Sequence, residues 1–245
     1  MTRRGLLLAA TAPLFARSDR LVMAGIAFKI VRGHKSPHRY LHIHGDESTA
    51  RQVFMETIAA HGGTGLDIIS DTRNVPILGG SIDPNRMFSR EGAMRSLKRL
   101  NKDWSEAQIA AAADLLDRER HKLLRVITPP KGGRIVALHN NANGYSVEAE
   151  IAASDKTSLK DAKNPHEFFL ATDARDYEKL ATSPFNVVLQ QTPAAEDDGS
   201  LSRLAAKLGI RSINLECAIG KLDSIPVAMN DLRAFASSRR MAGFE

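Results

Sequence analysis

His44 and Glu47 stand three residues apart in His44-Gly45-Asp46-Glu47. That H-x-x-E spacing lets one turn of chain present an imidazole and a carboxylate to the same metal ion. A second histidine, His139, and a carboxylate, Glu216, follow far downstream. In this reading His139 is a third ligand and Glu216 a general base. Two histidines and a glutamate leave zinc an open position for water, which suits catalysis rather than a structural role. The chemistry these residue types predict is metal-assisted hydrolysis, with one zinc ion per chain.

The elements around these residues must deliver them to one place. Arg39-Tyr40-Leu41-His42-Ile43-His44 alternates in polarity and reads as a strand ending at the H-x-x-E turn. Residues 48–60 read as a helix, with Ser48 or Thr49 as its cap and His61-Gly62-Gly63 as its stop. Residues 134–138 form a strand that delivers His139, and residues 212–215 one that delivers Glu216. The apolar stretch 21–31 reads as an edge strand or hairpin arm, and 67–70, 168–171 and 186–189 as further strands. Helices are predicted over 105–126, capped by Ser105, and over 174–181, 201–208 and about 226–239. Residues 71–90, with Pro76, Gly79, Gly80 and Pro84, read as a long functional loop. Strands alternating with helices predict a single α/β domain. Its sheet is mixed, mostly parallel, of about seven or eight strands with helices on both faces and the metal site at strand ends.

The order of the polar elements resembles the zinc carboxypeptidases. The chain carries His44-Gly45-Asp46-Glu47, then Thr72-Arg73, then Asp83-Pro84-Asn85-Arg86-Met87-Phe88, then Leu138-His139-Asn140, then Asn214-Leu215-Glu216. H-x-x-E alone is weak; the five elements in this order are what make the match. The resemblance implies that His44, Glu47 and His139 bind zinc and that Glu216 moves the proton. It implies that Arg73 stabilises the oxyanion and that Asn85 and Arg86 hold a terminal carboxylate of the substrate. Amide hydrolysis needs an activated water, an oxyanion partner and a proton shuttle, and arginine's planar fork suits a carboxylate. The short separation of Glu47 from His139 is more like the compact bacterial members, among them murein peptide amidases. His139-Asn140-Asn141 is also similar to the H-N-T of aspartoacylases and succinylglutamate desuccinylases, which cleave N-acyl amino acids. The family's aromatic hydroxyl has two candidates here, Tyr145 and Tyr177.

The remaining residues have blander readings. Asp83 is expected to shape its loop or support a ligand. His42 is expected to be a strand residue that does not bind the metal. Cys217, the only cysteine, has no implied histidine partner and reads as a buried thiol; it excludes an intramolecular disulfide.

The 245 residues are 43% hydrophobic and 25% charged, enough to bury a core. The formal charge is +6, but Arg95, Lys98, Arg99 and Lys102 lie among acids, and aromatics are only 5%. No basic stripe with interleaved aromatics exists, which argues against nucleic acid and leaves anionic small substrates as the use of that field. The expected ligand is a small peptide or acyl-amino-acid with a free carboxylate; no partner protein is implied. The non-enzymatic alternative is a zinc- or peptide-binding protein that retains the fold. Arg3-Arg4 before the apolar run 5–12, with Ala16 at a cleavage point, predicts an export signal over residues 1–16, of twin-arginine type, and a periplasmic or secreted catalytic domain over 17–245. Without that signal the protein would be cytoplasmic. No apolar run approaches the ~18–20 residues of a membrane span.

Overall fold

The structure, a computed structural model, describes residues 18–141 and 145–218. The expected export signal over 1–16 and the helix expected over about 226–239 lie outside them. The apolar stretch near the start, expected as an edge strand or hairpin arm, belongs to a hairpin. β1 (Ser18–Met23) and β2 (Ile26–Arg32) pair antiparallel. Ala24 and Gly25 join them, both at positive φ (53° and 83°), as a two-residue turn of matching twist requires.

β3 (Arg39–His42) leads over the sheet end into α1 (Ser48–His61), which returns to β4 (Thr64–Ile68). The stretch 71–90, expected as loop, holds a small hairpin of β5 (Val75–Ile77) and β6 (Gly80–Ile82) and one 3₁₀ turn, Pro84–Arg86. α2 (Arg90–Leu100) follows, unforeseen because the residues it buries include Gly92, Ala93 and Ser96, too small to print an apolar period. α3 (Glu106–Ile127) is capped by Ser105 as expected, and Gln108 completes a capping box with it. β7 (Ile135–Asn141) is buried throughout. Beyond it come α4 (Glu148–Ile151), β8 (Lys156–Ser158), β9 (Phe168–Ala171), α5 (Ala174–Leu180), β10 (Asn186–Leu189), α6 (Leu201–Leu208) and β11 (Ser212–Ala218).

Nine strands form one mixed sheet in the order β1-β2-β4-β3-β7-β11-β9-β10-β8. The central run β4-β3-β7-β11 is parallel, and antiparallel pairs flank it. The count exceeds seven or eight because the first apolar stretch folds back on itself and because β8, Lys-Thr-Ser, has no apolar signal at all. Alternation along β7 sends Ile135 and Ala137 to the core under α2 and α3, and Val136 and Leu138 to the core under α1 and α5. By the same alternation His139 falls on the α2–α3 face. On β11, Ile213, Leu215 and Cys217 belong to the α1–α5 core, so Glu216 faces the other way. The strands that build the two cores therefore also aim His139 and Glu216 at one side of the sheet.

Candidate metal centre and its cleft

At the end of β3 the chain must turn sharply over the sheet. Gly45 permits this: its amide donates to the Thr72 carbonyl at 3.1 Å, and a Cβ there would lie 2.2 Å from the Ser70 carbonyl oxygen. The turn carries His44 and Glu47 inward, both buried, beside buried His139, which lies two residues before the end of β7, a strand that runs on past the expected residue 138. His44 Nδ1 lies 2.8 Å from Glu47 Oε1. His139 Nδ1 lies 3.3 Å from His44 Nδ1 and 3.3 Å from Glu47 Oε2. One ligand atom from each residue falls within 4.8 Å of the others.

This donor set fits a metal ion. Glu47 Oε2 is buried without a hydrogen-bond partner, and two ring nitrogens face each other beside it. A divalent cation would satisfy all three atoms at once; two imidazoles and a carboxylate form a common ligand set for such ions. The far nitrogen of His44, Nε2, is 3.0 Å from Asp83 Oδ1, the carboxylate–histidine pairing that orients metal ligands. Asp83 also accepts from the Asn85 amide at 2.9 Å and so opens the 3₁₀ turn.

Burial works against a charge on His44, but its hydrogen bonds to Asp83 and Glu47 overcome it and raise its pKa to about 9. Burial likewise disfavours ionised Glu47 and Asp83. His139 and His44 nevertheless hold Glu47, and His44 and Arg86 hold Asp83, well below the usual carboxylate range. Glu216 goes the other way. Burial raises its pKa, with His139 opposing and Glu47 adding to the shift. It pairs in register with His139 across β7 and β11 and accepts from Asn214 Nδ2 at 3.0 Å.

A cleft of about 640 Å³ opens over this cluster and is lined by His44, Glu47, Arg73, Asn85, Arg86, His139 and Glu216. Arg73 stands half exposed at its side and donates to Glu47 Oε1 at 3.1 Å. Asn85 accepts the Leu201 amide at the start of α6, at 3.2 Å. Arg86 donates to the Asn85 carbonyl at 2.8 Å and lies 3.8 Å from Asp198.

The cleft also holds residues that sequence reasoning missed as a group, namely Arg95 and Arg99 of α2 and Arg203 of α6. The i,i+4 spacing of Arg95 and Arg99 was a legible sign of a shared helix face. Their approach to α6 depends on Gly92, where a Cβ would lie 2.2 Å from Gly199 Cα. Arg95 donates to the Asp197 carbonyl beyond that contact.

Tyr145 lines the cleft and donates to Glu150 Oε1 at 2.7 Å; burial and Glu150 raise its pKa above the ordinary tyrosine range. Tyr177 does not reach the site: it packs in the α1–α5 core with Lys156 over its ring. Cys217 is buried in that same core. His42 also points there, its Nδ1 2.8 Å from Asp67 and its Nε2 donating to the Glu47 carbonyl at 3.0 Å.

No protein-family model matches the chain, and no curated protein does. Among solved structures it is similar to the apo ectoine utilization protein EutE (DoeB) from Ruegeria pomeroyi, at 14% identity and TM-score 0.40, over 85% of this chain and 59% of that one. A candidate metallopeptidase from Shewanella amazonensis SB2B aligns at 15% identity and TM-score 0.41, over 88% and 85% of the two chains. A succinylglutamate desuccinylase from Silicibacter sp. TM1040 aligns at 13% identity and TM-score 0.39, over 85% and 58%. The chain thus spans about three fifths of the length of the first and third of these.

Proposed function

We propose that the protein is a zinc-dependent hydrolase that cleaves an amide bond next to a free carboxylate. The observation that carries this is the convergence of His44, Glu47 and His139 with Glu216 in register beside them, at the floor of a cleft rich in arginine. Zinc held by His44, Glu47 and His139 would supply the electrophile that activates water and polarises a carbonyl. Glu216 takes the proton from the attacking water and returns it to the leaving amine. Burial raises its pKa, which makes the carboxylate a stronger proton acceptor than an exposed glutamate. Arg73 supports the negative charge that develops on the carbonyl oxygen. Arg86, placed by Asn85, binds the substrate carboxylate through its planar fork.

The cleft volume is in the range of small-molecule sites. Arg95, Arg99 and Arg203 add positive charge around it, which favours small anionic substrates: peptides with a free terminus or N-acyl amino acids. With the leader read as an export signal, cell-wall peptides in the periplasm are the natural peptide candidates. A turnover panel of N-acetylated amino acids, dipeptides and murein tripeptides, each with its C-terminal amide, tests the reading. Chelator-sensitive hydrolysis of free acids and not of amides supports it. Equal cleavage of acids and amides would remove the carboxylate requirement, and no turnover on any member would leave a binding protein that retains the fold.

A further inference from the structure

α1 starts in an unusual way. Its N-cap position is Glu47, which makes no side-chain cap hydrogen bond because its carboxylate is turned to His44 and His139. Ser48, the residue whose type would suit a cap, sits one place too late, inside the first turn. The free amides of that turn still need an acceptor. One comes from another element: Asn140 Oδ1 on β7 accepts the Ala50 amide at 2.8 Å, between two buried residues. Asn140 directly follows His139. Its side chain thus ties the strand that carries one ligand to the helix start that carries another. A second tie reaches the same turn from β3, where His42 Nε2 donates to the Glu47 carbonyl.

We propose that Asn140 is a positioning residue that fixes the separation of the two halves of the metal cluster. It rests on the metal reading of His44, Glu47 and His139, and adds to it a mechanical link. The sequence-distant ligand His139 is held at its distance from Glu47 by a helix cap supplied in trans. If the link is lost, α1's first turn frays and Glu47 drifts relative to His139, while each ligand stays present. Residues that orient ligands in this way are worth about 10–100-fold in metal affinity.

The test uses the full chain and two substitutions. Asn140→Leu keeps size and removes the acceptor. Asn140→Asp keeps an acceptor oxygen and suits a helix N-terminus. Zinc affinity is measured by competition with a chelator, and Ala50 amide exchange by NMR or mass spectrometry. The expected result is that Asn140→Leu weakens zinc about 10–100-fold and speeds Ala50 exchange, and that Asn140→Asp restores most of both. Unchanged zinc affinity in folded Asn140→Leu overturns the proposal, as does Asn140→Asp behaving like the leucine variant. Should Asn140→Leu not fold, the wild type decides: zinc must slow Ala50 exchange, because a link that helps zinc bind is tightened by zinc in return. Exchange indifferent to bound zinc overturns the link. A wild type that binds no zinc instead overturns the metal reading itself, a result distinct from any of these.

Discussion

The two ends of β7 and β11 bury charge in opposite ways. At their start, Arg134 and Arg211 flank the strands and both reach Asp176 of α5, which is fully buried. Arg211 Nε lies 3.0 Å from Asp176 Oδ2, and Arg134 Nη1 3.4 Å from Oδ1. Cation meets anion there inside the chain. At the other end the same strands deliver His139 and Glu216 beside His44 and Glu47. Glu47 keeps an oxygen with no hydrogen bond, and burial pushes Glu216 toward its neutral form. The arginine–aspartate cluster meets its opposite charge inside the chain, whereas the other cluster points ligand atoms of His44, Glu47 and His139 at one another within 4.8 Å.

Substitutions at the two ends should separate these roles. The largest effect on turnover is expected from Glu216→Gln, which keeps size and removes the proton acceptor. Hydrolysis should fall by about 10²–10⁴-fold, with bound zinc and the melting curve unchanged; near wild-type kcat would place the base elsewhere. At the opposite end, Asp176→Asn should cost about 3–5 kcal/mol of stability, because it leaves two arginines without their buried partner. Chemical denaturation measures it, and any effect on zinc affinity in the folded variant would break the contrast between the ends.

Arg86→Ala should raise KM for free-acid substrates by a factor worth about 2–5 kcal/mol and leave their amides equally poor. Steady-state kinetics on matched acid and amide pairs reads the difference. The smallest effect concerns His38, near the closed cluster. Burial, then Arg134 and Arg211, lower its pKa from 6.5 to about 4. The unfolded chain therefore binds the proton first, so His38 contributes stability above pH 6.5 that is lost as pH falls toward about 4. His38→Asn should flatten the stability profile in that window; an unchanged slope would assign the acid sensitivity to other groups.

Much of the site was legible because its residues sit near the C-terminal ends of apolar strands. Leu138 before His139 and Leu215 before Glu216 mark those strands plainly, and the H-x-x-E turn follows a third. Other features were hidden for physical reasons. Glu47 takes the N-cap position expected of Ser48 or Thr49, and its carboxylate turns to His44 and His139 instead of capping. α2 hides among small and charged residues, and with it went the arginines that line the cleft. Tyr145 and Tyr177 could not be told apart by type; only the packing puts one in the cleft and the other in the core behind the sheet.

The central claim is that three side chains brought together from two distant stretches hold one zinc ion. Elemental analysis of the purified wild type and of His139→Ala measures it directly. One zinc per chain in the wild type and loss of it in the variant is the predicted result. No zinc in the wild type, or undiminished zinc in His139→Ala, would contradict it.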